Sequence, residues 1–361
     1  MKIFSTAGIG KERYPALTGV RAIGAAAVFF GHLPFSLGFS ITVNVIVLFF
    51  VLSGFLITYI YYRSAPTTMP DLVRYFTNRF ARIYPVYFLL VSIAIWLNHD
   101  FTPVLLFKNY TLTHALFHNI KAIVIQPSWS LTVEECFYLF APLIMYFIRR
   151  YSYFISFLFG VLLLLLALLV SIAPFSFLHT PVFVMTTTFF GYFFAFYAGA
   201  WLALQVLGKE KEGVVKRKGI ILTLAGAVGT LVALGAMALI YRAGEPLQIT
   251  PLVIVNNFLL PVPVTILYFG LICEDSFLSR FLSGKLLRLL GRTSYSFYLL
   301  HQLLIDHFAM PYLLKYFDGH YNLFVITTFI IAQVLAFLLF ILFEEPLNIF
   351  IRSKIRTGRV K

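Results

Sequence analysis

The sequence predicts an all-α, polytopic transmembrane helical bundle of about ten helices with both termini in the cytoplasm. Of its 361 residues, 60% are hydrophobic and only 12% are charged, and the mean hydropathy is +0.90, which is far from the balance of a water-soluble domain. Apolar stretches long enough to cross a bilayer as a helix recur along the chain, and no strand-like alternation competes with them. We expect a single membrane domain over residues 1–361.

The individual spans follow from the positions of these apolar stretches. The third stretch is short and the segment 100–125 is only semi-apolar, so nine or eleven spans are alternatives to ten. The first stretch is too long for the core of a signal peptide and contains Arg21, so we expect it to remain as a helix. The spans are expected near residues 16–37, 41–62, 83–98, 129–148, 154–173, 182–207, 219–241, 251–272, 291–315 and 321–343.

The lysines and arginines predict the orientation of the bundle. With ten spans, all but four of the 28 fall at one set of helix ends, the exceptions being Lys108, Lys121, Arg242 and Lys315. Because cytoplasmic loops carry the excess of positive charge, we place both termini in the cytoplasm. The formal net charge of +14 therefore indicates topology, and since the basic residues form no single domain we expect no nucleic-acid partner.

Two ionisable residues, Arg21 and His32, lie within the first predicted span. A charged or titratable group in hydrocarbon is costly and usually functional. Eleven residues of α-helix return to within about 20° of the starting direction, so both side chains leave the same helix face roughly 16 Å apart. We expect them to face one cavity at two depths. The alternative for Arg21 is a side chain that only extends to the membrane surface.

Glu134 and Glu135 are the other candidates for proton transfer. The fourth predicted span runs inward from Trp129, which places both carboxylates one to two turns below the outer surface, at about the depth of His32. We therefore expect His32, Glu134 and Glu135 to form a catalytic layer in which a carboxylate fixes the imidazole tautomer. Adjacent helical residues point about 100° apart, so one carboxylate is expected in the pocket and the other in a structural role.

Further histidines lie outside this layer. His301 falls near the middle of the ninth predicted span, where it lines the cavity or serves as a buried hydrogen-bonding group. His114 and His118 have the i, i+4 spacing of metal ligands, but no third ligand accompanies them in the sequence. We therefore expect no metal site.

Arg79 and Arg82 lie at the cytoplasmic start of the third predicted span. Their spacing puts two guanidinium groups on neighbouring positions of one helical turn, and guanidinium groups bind phosphates in a bidentate manner. We expect a phosphate-binding role, with arginines that serve only the membrane topology as the alternative. Glu344 and Glu345 close the last predicted span and are placed to pair with arginines of the same face.

Five stretches together resemble the acyltransferase-3 family of bacterial integral-membrane acyltransferases. Their order and spacing cover almost the whole chain, although Cys136 stands where the family pattern often has glutamine. The chain resembles the stand-alone form of the family, without the hydrolase-like domain that some members carry. The five stretches are Arg21-x10-His32, 48–58 (LFFVLSGFLIT), 79–85 (RFARIYP), 129–138 (WSLTVEECFY) and 291–301 (GRTSYSFYLLH).

This resemblance implies an enzyme of the bacterial cytoplasmic (inner) membrane that takes an acyl group, most often acetyl, from cytoplasmic acetyl-CoA. The acyl group would go to a hydroxyl of a glycan or glycolipid acceptor near the extracytoplasmic face, and no metal is implied. Its partners would be membrane lipid, acyl-CoA and the carbohydrate acceptor.

The resemblance also assigns roles to residues. Arg21, Arg79 and Arg82 would bind the donor, and His32 would act with Glu134 or Glu135, either as a general base or through an acyl-histidine intermediate. The residues expected to line the cavity or contact substrate are Trp129, Ser130, Tyr138, Tyr298 and His301.

Two other classes of function compete with an enzyme. Intramembrane arginine, histidine and glutamate also form proton relays, so a proton-coupled exporter of a sugar-linked substrate, without acyl chemistry, is the alternative. A lipid-binding scaffold would explain the 41 phenylalanines and 21 tyrosines but not the layered charges. We rank the enzyme above the transporter and both above the scaffold.

Overall fold

The structure, a computed structural model, describes residues 13–33, 41–116, 123–173, 178, 180–212, 216–242, 249–317 and 319–357. The described part is almost entirely helical and contains no β-strand, only an isolated bridge between Arg217 and Glu274. This confirms the predicted all-α class. The α-helices are α1 (Pro15–His32), α2 (Ile41–Tyr61), α3 (Met69–Asn98), α4 (Pro103–Tyr110), α5 (Trp129–Arg150), α6 (Tyr153–Ile172), α7 (Pro181–Thr187), α8 (Phe189–Lys211), α9 (Ile221–Arg242), α10 (Ile249–Ile254), α11 (Pro261–Cys273), α12 (Phe277–Leu282), α13 (Lys285–Arg292), α14 (Ser294–Leu304), α15 (Tyr321–Leu339) and α16 (Glu345–Thr357).

Among the residues that the structure describes, eight helical stretches are long and apolar enough to span a membrane. They coincide with eight of the predicted spans, so a polytopic membrane fold is confirmed. The remaining two predicted spans, 16–37 and 291–315, contain α1 and α14 but are not among the eight, and ten spans with cytoplasmic termini stay predictions. The eight stretches are Asn44–Tyr61, Met69–Asn98, Gln126–Arg150, Tyr153–Ile172, Pro181–Lys211, Ile221–Arg242, Ile249–Cys273 and Tyr321–Lys354.

The third span differs most from its predicted bounds, because α3 begins at Met69 and not near residue 83. The Thr68 hydroxyl accepts a hydrogen bond from the Asp71 backbone N–H, which caps the helix fourteen residues before the apolar stretch. The polar turns around Arg79 and Arg82 are therefore continuous with the membrane span. Among its described residues, the semi-apolar segment 100–125 contains the short helix α4 and a 3₁₀ turn at His114–Leu116.

Helices α2 and α8 form a glycine-mediated pair at the centre of the bundle. A Cβ atom on Gly54 would lie 2.1 Å from the Phe196 carbonyl oxygen, and one on Gly199 would lie 2.0 Å from the Val51 carbonyl oxygen. Only glycine permits this approach, which is how small residues bring helices together in membranes. Helix α1 packs closely on α13 in the same way, since a Cβ on Gly291 of α13 would lie 1.9 Å from the Thr18 carbonyl oxygen of α1.

In the described part of the chain, three π-helical segments interrupt the long helices: Val255–Leu259, Ile305–Leu313 and Phe340–Glu344. The first supplies Asn257, whose side-chain amide donates to the carbonyl oxygens of Met185 (2.6 Å) and Gly191 (3.1 Å) at the break between α7 and α8. Backbone groups freed by such a break need a partner in an apolar medium. The other two segments adjoin ionisable residues, and π-helical turns are frequent at functional sites.

Candidate active site

A cavity of about 140 Å³ lies between α1, α2, α3, α5 and α14. We call it the central cavity. The charged side chains on its wall are Arg21, Arg79, Arg82 and Glu134, and the hydroxyl groups are those of Ser53, Ser130, Tyr138, Ser294, Tyr295 and Tyr298. Three guanidinium groups against one carboxylate make this wall predominantly cationic.

Arg82 is neutralised by an ion pair within the protein. Its guanidinium contacts the Glu344 carboxylate at the end of the third π-helical segment, and the Ser296 hydroxyl donates a hydrogen bond of 2.6 Å to the same carboxylate. The Glu344 side chain is only 1% exposed, whereas Arg82 is 24% exposed and reaches the cavity. The neighbouring Glu345 pairs with Arg292 at 2.8 Å. Both carboxylates thus pair with arginines, as their position in the sequence indicated.

Arg79 and Arg21 are bound differently from Arg82. The guanidinium of Arg79 lies over the rings of Tyr138 and Tyr61, 5.5 and 5.9 Å from their centroids, and its buried Nε atom has no hydrogen-bond partner. Neither Arg79 nor Arg21 has a carboxylate within 4.0 Å among the residues that the structure describes. The central cavity therefore has positive charge available for an anionic ligand.

Glu134 faces the arginines from α5. Its carboxylate accepts hydrogen bonds from the Ser53 hydroxyl and the Tyr138 hydroxyl. Its neighbour Glu135 does not line the central cavity, and its buried Oε1 atom has no partner. One carboxylate of the pair enters the cavity and the other does not, which is what the 100° offset of adjacent helical residues requires.

His32 lies against His301, with ring centroids 5.1 Å apart. The Nδ1 atom of His32 is 2.9 Å from the Val28 carbonyl oxygen and 3.4 Å from Nε2 of His301, while Nδ1 of His301 is 3.2 Å from the Phe297 carbonyl oxygen. Because carbonyl oxygens only accept, this network assigns a proton to each Nδ1 atom. Nε2 of His301 is then an acceptor for His32, and Nε2 of His32 keeps a free lone pair.

The expected layer of His32 with Glu134 and Glu135 is not what the structure shows. Glu134 lines the central cavity with Arg21, whereas His32 does not line it, and the side-chain partner of His32 among the described residues is His301. The first turn of α5 follows the segment Gln126–Ser128, in which Pro127 and Ser128 are buried, and Ser130 lies beside Tyr298. Glu134 lies one turn further along α5, where Ser53 and Tyr138 hold its carboxylate in the central cavity.

Tyr298 lies between the central cavity and the His32–His301 pair. Its ring centroid is 5.9 Å from that of His301, its hydroxyl donates to the Pro127 carbonyl oxygen at 2.8 Å, and it lies 2.8 Å from the Ser130 hydroxyl. Tyr298, Ser130 and Tyr138 line the central cavity, while Trp129 packs on Tyr192 with ring centroids 6.0 Å apart.

Three contributors to the site were not named as candidates from the sequence. Tyr61 contacts Arg79, and Tyr295 lies beneath the Arg82 guanidinium at 5.6 Å while donating to the Ile83 carbonyl oxygen. Tyr61 has no distinctive sequence signal, because one tyrosine among 21 cannot be told from a lipid-facing ring. Tyr295 and Ser53 lie inside the recognisable stretches 291–301 and 48–58 and could have been proposed.

His114 has a local partner. Its Nε2 atom is 3.0 Å from the Ser128 hydroxyl, and burial lowers its pKa to about 4, so the imidazole is neutral at physiological pH. His118, the other half of the possible metal pair, lies outside the described residues. The described residues include no group of three or more side chains arranged to hold a metal ion.

Comparison with known proteins shows the family to which the chain belongs. The family model for an acyltransferase domain matches residues 14–344. The chain is 28% identical to the O-acetyltransferase OatA of Staphylococcus aureus over 320 residues, which cover 80% of this chain and 50% of that protein. It is 28% identical to the peptidoglycan O-acetyltransferase OatA of Listeria monocytogenes over 155 residues, 38% of this chain and 25% of that protein. The chain thus matches half or less of each relative's length, and no solved structure matches it.

Proposed function

Because the chain belongs to the family of acyltransferase domains, we propose that it is a membrane O-acyltransferase. It moves an acyl group, acetyl in the first instance, from cytoplasmic acyl-CoA to a hydroxyl of a glycan or glycolipid near the extracytoplasmic face of the bacterial cytoplasmic membrane. The observation that carries this proposal is the pair of sites on one face of α1. Arg21 lies in a cationic cavity, and His32, roughly 16 Å further along the helix, belongs to a histidine pair.

The central cavity suits part of the donor. Its arginines match the phosphates of CoA, for which guanidinium groups are the preferred bidentate partners. About 140 Å³ is less than the roughly 300–1,000 Å³ of a typical small-molecule pocket. We therefore place the narrow pantetheine arm inside the cavity and the nucleotide on its cytoplasmic side. The unpartnered Nε of Arg79 is a donor that such a ligand would satisfy.

The histidine pair supplies the proton chemistry. Nε2 of His32 removes the proton of the acceptor hydroxyl while the hydroxyl oxygen attacks the thioester carbonyl carbon. The carbon–sulfur bond then breaks, and the departing CoA sulfur takes the proton from the His32 imidazolium. The Val28 carbonyl oxygen, 2.9 Å from Nδ1 of His32, holds the reactive tautomer. Nε2 of His301, 3.4 Å from the same atom, is a second acceptor that stabilises the imidazolium, a task for which a carboxylate was expected from the sequence.

A covalent route uses the same atoms. Nε2 of His32 attacks the thioester carbonyl carbon, the carbon–sulfur bond breaks and CoA leaves as the thiolate. The acceptor hydroxyl oxygen then attacks the acyl carbon, the carbon–nitrogen bond breaks, and the hydroxyl proton passes to the released Nε2. In this route the free lone pair of Nε2 is the nucleophile and His301 keeps its role as second acceptor.

The test is acyl transfer across a membrane by the purified protein. We expect proteoliposomes with labelled acetyl-CoA outside and a glycan acceptor inside to accumulate acetylated acceptor, with release of CoA that depends on the acceptor. A matched preparation of liposomes without protein controls for leakage. If the acceptor crosses the membrane unmodified and no CoA is released, the protein is a transporter and the proposal is wrong.

A further inference from the structure

A second pocket, of about 420 Å³, opens at the opposite end of α3 from the arginines. We call it the outer pocket, because the predicted topology places this end of α3 outside. Asn98 and Asp100 line it from the end of α3, Gln126 from the segment before α5, and Asp306 and His307 from the second π-helical segment. Arg79 and Asn98 are nineteen residues apart on one helix, or about 28 Å, so the outer pocket and the central cavity are separate sites.

The outer pocket is connected to the histidine pair from two sides. The Gln302 side chain, next to His301 in the chain and 7% exposed, donates to both carboxylate oxygens of Asp306, at 2.8 and 2.7 Å. On the other side, Gln126 belongs to the same short segment as Pro127, whose carbonyl oxygen accepts from Tyr298 beside His301. A ligand in the outer pocket would thus lie against Asp306 and Gln126, which connect to His301 through Gln302 and through Pro127 and Tyr298.

The chemistry of the lining suits a polyhydroxylated ligand. The two side-chain amides offer donors and acceptors, the two carboxylates accept, and the imidazole of His307 can do either. Neighbouring sugar hydroxyls need this mixture because each both donates and accepts. The described residues that line the pocket include two carboxylates and neither lysine nor arginine, and the carboxylates repel anions.

From this geometry we infer that the outer pocket, with Asp100, Gln126 and Asp306, binds the acceptor as a neutral or amino-sugar glycan and disfavours acceptors with phosphate or uronic acid groups. The inference rests on the proposed function and adds to it the place and the charge class of the acceptor. The π-helical segment supports this assignment, since its altered turn places Asp306 and His307 together on the pocket wall.

The experiment combines binding and turnover. The probes are a neutral tetramer of N-acetylglucosamine and a tetramer of galacturonate, and binding to the full chain in nanodiscs is measured by saturation-transfer NMR. We expect the neutral tetramer to bind and Gln126→Ala and Asp100→Asn each to weaken its binding roughly tenfold, as loss of one or two good hydrogen bonds does. The acceptor KM should rise by the same factor while the KM for acetyl-CoA stays unchanged. Asp71→Asn, at the opposite end of α3, is the matched control.

The outcomes separate this inference from the proposed function. Tetramer binding that depends on Gln126 and Asp100 but leads to no acetyl transfer would support the pocket and contradict the enzyme. Acetyl transfer with an acceptor KM unchanged in both variants, or a preference for the galacturonate tetramer, would overturn the assignment of the pocket. Circular dichroism of each variant checks that the fold is retained.

Discussion

Arg79 and Arg82 are neighbours on α3, yet the protein satisfies their charges differently. Arg82 has a buried carboxylate partner, Glu344, whereas Arg79 has aromatic faces and an unpartnered Nε atom. A ligand phosphate would therefore gain more from Arg79, because its charge is not already neutralised. For Arg82, the contact with a ligand competes with an internal ion pair.

We accordingly predict that Arg79→Ala weakens CoA binding roughly ten- to a hundred-fold, the loss of one charge-assisted contact of about 1.5–3 kcal/mol. Titration calorimetry of the detergent-purified protein measures this affinity. Arg74→Ala, on the same helix but not on the cavity wall, is the control and should bind CoA like the parent. If Arg79→Ala binds CoA with unchanged affinity, Arg79 has no role in donor binding and serves only the membrane topology.

Arg82→Ala should show a different pattern, with lower stability as its main effect. Removing one member of a buried ion pair leaves an uncompensated charge, at a typical cost of about 3–5 kcal/mol, and Glu344 is 1% exposed. The double variant Arg82→Ala with Glu344→Gln should recover much of that stability because the buried charge is gone.

The residue scale also shows what one sequence can predict. The shared face of Arg21 and His32 follows from helical periodicity alone, because both lie on one helix. The partner of His32 does not, since His301 is 269 positions away and only the packing of α14 against α1 brings the two rings together. Glu134 was expected beside His32, but its neighbours are Ser53 and Tyr138, because they depend on how α5 packs against α2.

At the scale of elements, glycines set how closely the helices pack. Gly199 and Gly208 lie on the same helix, α8, but a Cβ on Gly199 would lie 2.0 Å from the Val51 carbonyl oxygen whereas one on Gly208 would meet nothing within 4 Å. The two positions therefore form a matched pair for testing the contact between α2 and α8.

We predict that Gly199→Ala destabilises the protein by at least the roughly 1–3 kcal/mol of an overpacked core, because α2 and α8 must move apart. Gly208→Ala should be neutral or slightly stabilising, since alanine favours helix by up to about 1 kcal/mol. Thermal unfolding in detergent, followed by intrinsic fluorescence, measures both. Equal melting temperatures for the two variants would contradict the described packing of α2 on α8.

The sequence predicted the spanning helices better than it predicted where α3 begins or where the π-helical segments lie. Apolar length located the spanning helices, because hydrocarbon thickness fixes how many apolar residues are needed. It missed the start of α3, which depends on a polar cap at Thr68, and it missed the π-helical segments, which depend on how the neighbouring helices pack. Two of the π-helical segments contain Glu344, which pairs with Arg82, and Asp306, which lines the outer pocket. The elements that the sequence did not predict therefore lie close to both candidate sites.

At the scale of the whole molecule, the distribution of lysine and arginine predicts which side of the membrane the central cavity and the outer pocket each face. The arginine cavity belongs to the cytoplasmic half only if the basic helix ends are cytoplasmic. The proposed direction of acyl transfer depends on this orientation, because the proposal has the donor and the acceptor reach the protein from opposite sides.

Cysteine labelling in intact cells tests the orientation. In a variant without Cys136 and Cys273, we expect an impermeant maleimide to label Tyr316→Cys, whose parent side chain is 75% exposed, and not Glu212→Cys until the membrane is permeabilised. The reverse pattern would invert the bundle and place the arginine cavity outside.

The most direct test of the account is turnover by the purified His32→Ala protein. We predict that acetyl transfer is abolished while CoA affinity is retained, because His32 handles the proton and the arginines bind the donor. His301→Phe should lower kcat strongly, and the double variant should be little worse than His32→Ala alone, since residues that act as one unit are not additive. Substantial transfer by His32→Ala, in protein that still binds CoA, would contradict the central role of the histidine pair.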